Sequence, residues 1–158
     1  KEADNLIENN IRLMAIGDLE SLPVKVKRFL QKTIERTSNN TGMTLILALS
    51  YSARWEILDA MKSLGDSIES GVLKARDLTC EHIADRLQTR KMPDPELLIR
   101  TSGESRVSNF LLWQIAYAEL YFTETLWPDF SKEDLYRAIC NFQNRERRFG
   151  MISEQVIS

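Results

Sequence analysis

The octapeptide MTLILALS, Met43 to Ser50, restricts the fold more than any other stretch of the chain. It has the length of a strand and no polar alternation, so a strand built from it has no face to give to water. Such a strand fits a parallel sheet covered on both faces. Two more strand-like runs accompany it, IRLMAI at Ile11 to Ile16 and LLIRT at Leu97 to Thr101. Helical patterns lie between and around them. Glu2 to Ile7 enters directly on one. Pro23 to about Ser38 places Val26, Phe29, Leu30 and Ile34 on one face, and Ala53 to about Ser70 does the same with Ile57, Leu58, Met61, Leu64 and Ile68. Thr79 opens a short helix with Ile83 and Leu87. Ser131 caps a last one, with Glu133 and Asp134 in its first turn and Leu135, Ile139 and Phe142 turned inward. Strands alternating with helices predict an α/β fold, a mainly parallel sheet with helices on both faces. With no repeat or linker, residues 1–158 read as a single domain.

Composition narrows the function classes. A net charge of -2 gives no general attraction to nucleic acid, and none is expected as a partner. Cys80 and Cys140 are far apart and form no CxxC, which reads as reduced thiols in a cytoplasmic setting. No apolar run approaches the length of a membrane span. His82 is the only histidine, so histidine metal sites and hydrolase triads are hard to build, and it reads as an exposed helix residue.

Ligands of parallel α/β sheets bind beyond the carboxyl ends of the strands. Two such ends carry chemistry, Ser50 to Arg54 and Arg100 to Ser108. The second combines Arg100, Arg106, several hydroxyls and Gly103 just before a predicted helix start at Ser108 or Asn109. Guanidinium forks beside backbone N–H groups suit a phosphate or diphosphate. The plainer alternative is a polar loop whose arginines only pair with Glu104 and Glu119. From Ser108 to Phe122 the chain reads as a buried helix, with Leu112, Ile115, Glu119 and Phe122 on one stripe and Phe110, Trp113, Tyr117 and Tyr121 around it. A carboxylate buried there is protonated, paired with Arg100 or Arg106, or bound to a metal. Mg²⁺ shared with substrate phosphates would account for it.

Four stretches then resemble the cis-prenyltransferase (undecaprenyl diphosphate synthase) family. They are LIRTSGESRVSNFLLWQIAYAELYFTETLWPDF at Leu98 to Phe130, NRERRFG at Asn144 to Gly150, IGD at Ile16 to Asp18 and TGMTLILALSYSARWEI at Thr41 to Ile57. The likeness covers essentially the whole chain. It implies that Arg100, Arg106, Val107 and Ser108 bind the diphosphate of isopentenyl diphosphate, and that Glu119 binds Mg²⁺. It places Met43 near the far end of a hydrophobic tunnel, with Leu45 and Leu47 on the same strand face by period two. Ser50, Ser52 and Ala53 depart from the Asn, Gly and Gly found there in many members. The family's HxxxDGNxRWA segment, with its catalytic aspartate, and its Ser-Ser-Glu-Asn-Trp-like segment have no counterpart here. No catalytic residue is therefore assigned, and the chain reads as the C-terminal portion of a catalytic domain, expected to be inactive by itself and to leave a sheet edge open.

The implied reaction is repeated condensation of isopentenyl diphosphate in cis onto an allylic diphosphate, with farnesyl diphosphate as the expected primer. The product would be a long polyprenyl diphosphate, such as undecaprenyl diphosphate for a cell-wall lipid carrier. No DDxxD-type cluster points to trans-prenyltransferase chemistry. The resemblance also implies a homodimer built on C-terminal helices, near the cluster Phe142, Arg147, Arg148 and Phe149, and a cytoplasmic protein with room for peripheral membrane contact on product release. The rival readings are a non-catalytic partner subunit, which retention of Arg100, Arg106 and Glu119 disfavours, and an unrelated α/β phosphate-binding domain, which the long motifs disfavour.

Overall fold

The structure, a computed structural model, describes residues 2–145. Arg147, Arg148, Phe149 and Gly150 lie outside the described residues. The chain divides into two compact units, with the boundary between Met92 and Pro93.

The first unit runs α1 (Glu2–Glu8), β1 (Arg12–Ile16), α2 (Val24–Thr37), β2 (Thr44–Ala48), α3 (Ala53–Glu69) and α4 (Cys80–Ala84). β1 and β2 pair in parallel, from Arg12 opposite Thr44 to Ile16 opposite Ala48, with α2 as the crossover between them. Thr37 ties that crossover down. Its fully buried hydroxyl accepts from the Leu13 N–H at 3.0 Å and donates to Thr33 O at 3.0 Å, so a polar group in the core is satisfied. Leu13, Ile16, Leu30, Ala60, Leu64 and Leu87 form the core. The turn after β1 requires glycine. Gly17 sits at φ +109°, and a Cβ there would be driven into the Leu49 carbonyl.

Burial departs from the expected pattern at several positions. β2 is not covered on both faces among the described residues. It pairs only with β1, and Met43, just before it, is 61% exposed. Val26 and Phe29 on α2 are exposed, leaving Leu30 with Thr33 and Thr37 as the buried line. On α3 the buried face is Ala53, Glu56, Ala60 and Leu64, while Leu58 and Met61 face outward. Ala53, Glu56, Ala60 and Leu64 recur every three to four residues and so share one helix face, which leaves Leu58 and Met61 off it. His82 is half-buried rather than exposed, and its Nδ1 accepts from the Thr79 N–H at 3.2 Å as part of the α4 cap.

The second unit runs β3 (Leu97–Arg100), β4 (Glu119–Phe122) and α5 (Lys132–Gln143). β3 and β4 pair in parallel, Leu97 opposite Glu119 through Arg100 opposite Phe122. The expected helix from Ser108 to Phe122 is therefore wrong. Residues 108–117 form turns, and the end of the stretch is a strand. The cause is local and tertiary at once. Ser108, Asn109 and Leu111 hold φ values of +53°, +60° and +47°, which a right-handed helix cannot continue through. Leu120, Tyr121 and Phe122 then have a strand partner waiting in β3, and aromatic residues fill a pleated surface well. α5 starts as expected. Ser131 caps it, and the Asp134 carboxylate accepts from the Ser131 N–H at 2.8 Å and hydroxyl at 2.6 Å. Its inward face differs, since Ala138 and Asp134 are buried and Leu135 is 40% exposed.

Candidate functional site

The polar loop from Arg100 to Ser108 leaves the carboxyl end of β3, where a parallel pair presents its ligand face. Ser102 and Gly103 both adopt left-handed backbone, at φ +71° and +67°, and fold the loop back on the chain after β4. Three backbone hydrogen bonds hold it there. Thr123 N–H donates to Arg100 O, Ser102 N–H to Thr125 O and Gly103 N–H to Thr123 O, each at 2.9 Å. A side chain at Gly103 would collide with the Glu124 carboxylate. The 123–125 segment thus acts as the mould of the loop. It is fixed in turn by the Thr125 N–H donating to Thr123 Oγ1 at 3.3 Å and by Thr125 Oγ1, 3.5 Å from the Asp134 carboxylate. Hydrogen bonds from the Ser131 hydroxyl and then the Ser131 N–H, with Arg137 beside it, hold that carboxyl below its usual range.

The sequence treated Arg100 and Arg106 alike, and the structure separates them. Arg100 is half-buried, and its guanidinium has no hydrogen bond or ion pair among the described residues. Arg106 is paired with Glu104, and its side chain is 67% exposed. Val107 is half-buried and Ser108 exposed on the same loop. Glu119 pairs with neither arginine. It stands at the first position of β4, and Arg145, just past α5, donates to its Oε2 at 2.7 Å. Sequence reasoning missed Arg145. It stood inside NRERRFG, but nothing local connects it to a residue 26 positions away.

The first unit carries an apolar groove of about 360 Å³ between the β1–β2 pair and α2, with Leu13, Phe29, Leu30, Leu45, Leu47 and Leu49 among its walls. Leu45 and Leu47 share that groove, while Met43 is not one of its lining residues. Beyond the ends of β1 and β2 lies a polar network the sequence did not show. Buried Glu56 accepts from Tyr51 OH at 2.6 Å and from the Gln88 N–H at 2.8 Å, and the Gln88 side-chain oxygen accepts from the Gly17 N–H at 2.6 Å. It joins both strand ends to α3, so these loops are held in place without relying on packing alone.

A magnesium ion implied by the resemblance can be tested against the donor set. Among the described residues no three His, Cys, Asp or Glu side chains converge as a metal cage. Glu119 offers a single, partly exposed carboxylate. That fits a hard ion completed by phosphate oxygens and water, and does not fit an ion held by protein alone.

Parallel α/β units with an arginine loop at a strand end define a class of protein suited to phosphorylated ligands. A family profile described as putative undecaprenyl diphosphate synthase, a prenyltransferase family, matches residues 1–150. The chain is 54% identical over 155 residues to an isoprenyl transferase of Geobacter sulfurreducens, covering 98% of this chain and 63% of that protein. It is 51% identical over 152 residues to an isoprenyl transferase of Porphyromonas gingivalis, covering 96% and 60%. A lavandulyl diphosphate synthase from Lavandula x intermedia, solved in complex with dimethylallyl diphosphate, superposes with a TM-score of 0.91 at 36% identity over 95% of this chain and 65% of that one. A probable undecaprenyl diphosphate synthase from Campylobacter jejuni gives 0.79 at 39% identity, over 94% and 67%. The chain belongs to the undecaprenyl diphosphate synthase family of prenyltransferases. It spans about three fifths of the length of the curated relatives it matches. No described helix is long and apolar enough to cross a membrane.

Proposed function

We propose that this chain serves in the condensation of isopentenyl diphosphate units in cis onto an allylic diphosphate. Farnesyl diphosphate is the primer, and the product is a long polyprenyl diphosphate of the undecaprenyl kind, a lipid carrier for cell-wall synthesis. One observation carries the reading. Arg100 ends a strand as a half-buried cation with no side-chain partner among the described residues, in a loop moulded by backbone hydrogen bonds. Its guanidinium fork is free to take two oxygens of an incoming diphosphate without giving up an ion pair among the described residues. Arg100 would bind isopentenyl diphosphate, with Arg106 exchanging Glu104 for it and the backbone at Val107 and Ser108 closing the loop around it. So positioned, the isopentenyl double bond attacks C1 of the allylic partner. The C1–oxygen bond breaks, diphosphate leaves with the electron pair, and loss of a proton from isopentenyl C2 sets the new double bond. Mg²⁺, held by Glu119 and diphosphate oxygens, would neutralise the charge developing on the leaving group. The groove walled by Leu45 and Leu47 offers the growing hydrocarbon a dry surface. A homodimer, and peripheral contact with a membrane that accepts the product, complete the proposal. The test is incorporation of labelled isopentenyl diphosphate by the full-length protein, supplied with farnesyl diphosphate and Mg²⁺. Chain-elongated product that Arg100→Ala loses supports the reading; a folded full-length protein that elongates nothing refutes it.

A further inference from the structure

We infer that Arg145 is a positioning residue that restrains Glu119, so that the carboxylate takes a divalent cation readily only when diphosphate accompanies it. This rests on the proposed role of Glu119 as a cation-contacting carboxylate.

The geometry is specific. The Arg145 Nη1 donates to Glu119 Oε2 at 2.7 Å and to Leu120 O at 2.9 Å, and its Nε donates to Asn141 Oδ1 at 2.9 Å. Two of the three acceptors are neutral and independent of Glu119. If the carboxylate turned to a cation, the guanidinium would stay anchored to β4 and α5 rather than be orphaned. The carboxylate is equally poised. Its Oε2 is pinned, its Oε1 has no hydrogen-bond partner among the described residues, and the two side chains are 30% and 32% exposed. A cation can therefore reach Oε1 from solvent.

Two effects of Arg145 then oppose each other. Pinning Oε2 orients the carboxylate, which helps a cation. The fixed positive charge a few ångströms away repels a dication, which hinders it. At this distance, even in a partly solvated setting, the charge term exceeds the ordering of one short side chain. Arg145 therefore weakens cation binding by Glu119 alone. Diphosphate brings several negative charges and reverses that balance, so cation and diphosphate arrive as a unit.

The test uses the full-length protein and Mn²⁺ as probe, with free ion followed by electron paramagnetic resonance and without diphosphate. Arg145→Gln is expected to bind Mn²⁺ about three- to tenfold more tightly than the parent. Arg145→Lys, which keeps the charge, should stay near the parent, a pattern a purely structural role would not give. Arg145→Met repeats the neutral variant if Arg145→Gln folds poorly. Glu119→Gln should lose the binding in every background. Equal or weaker Mn²⁺ binding by both neutral variants, with Glu119→Gln still impaired, overturns the inference while leaving Glu119 as the cation carboxylate. Unchanged binding in Glu119→Gln overturns the reading of Glu119 itself, and the inference with it.

Discussion

Replacing Arg100 with Ala should weaken isopentenyl diphosphate binding far more than replacing Arg106. The difference follows from what each guanidinium gives up. Arg100 is half-buried with no partner among the described residues, so its hydrogen bonds to diphosphate are nearly all gain. A charged hydrogen bond of that kind is worth about 1.5–3 kcal/mol, or roughly 10- to 140-fold in affinity. Arg106 is two-thirds exposed and already paired with Glu104, so it exchanges one ionic partner for another. Exposed pairs contribute about 0.2–1 kcal/mol, and its removal should cost roughly 1.4- to 5-fold. Calorimetric titration of each variant of the full-length protein with isopentenyl diphosphate measures both numbers directly, and KM under turnover provides a second reading. Equal losses at the two positions, or a larger loss at Arg106, would refute the argument that internal pairing sets the ranking.

Three further outcomes follow from the geometry. Leu47→Trp should fill part of the 360 Å³ groove and shorten the polyprenyl product, so an unchanged product ladder by thin-layer chromatography would remove β2 from the chain-binding wall. Gly17→Ala should cost about 1–3 kcal/mol in denaturant unfolding, since φ +109° and the Leu49 carbonyl both oppose a Cβ, and a loss below 0.5 kcal/mol would count against a fixed turn. Asp134 has a folded pKa lowered from 3.8, so its ionised form stabilises α5 fully above that value and less as pH falls through the folded pKa; the thermal gap between parent and Asp134→Asn should therefore narrow on acidification below about pH 4, and a gap independent of pH would deny the carboxylate its role.

The contrast between the two halves of the chain shows where sequence reasoning reaches. Ile11 to Ile16 and MTLILALS became β1 and β2, and α2 and α3 appeared within a residue or two of their expected ends, whereas α4 stops at Ala84, short of the expected Leu87. Those signals are local: apolar runs of strand length, a 3.6 period, and turn residues between them. The stretch from Ser108 to Phe122 failed because it is apolar nearly all round. Without a polar face there is no period, and a buried helix and a buried strand look alike.

The sequence alone determined the α/β class, the parallel pairing of its strands, the Ser131 cap and the placing of Arg100 and Arg106 in a loop at a strand end. The class and the pairing follow from the order of apolar runs and helical periods along the chain, and the cap and the loop from residues within a turn or two of one another, where bonding geometry allows few choices. Only the tertiary structure decided that Glu119 opens a strand, that its partner is Arg145, that Arg100 has no ion-pair partner among the described residues while Arg106 has one, and that Glu56 joins two strand ends through Tyr51 and Gln88. A salt bridge between side chains 26 residues apart is set by where two elements come to rest. That position is chosen by the packing of the whole unit, and no periodicity within either element encodes it.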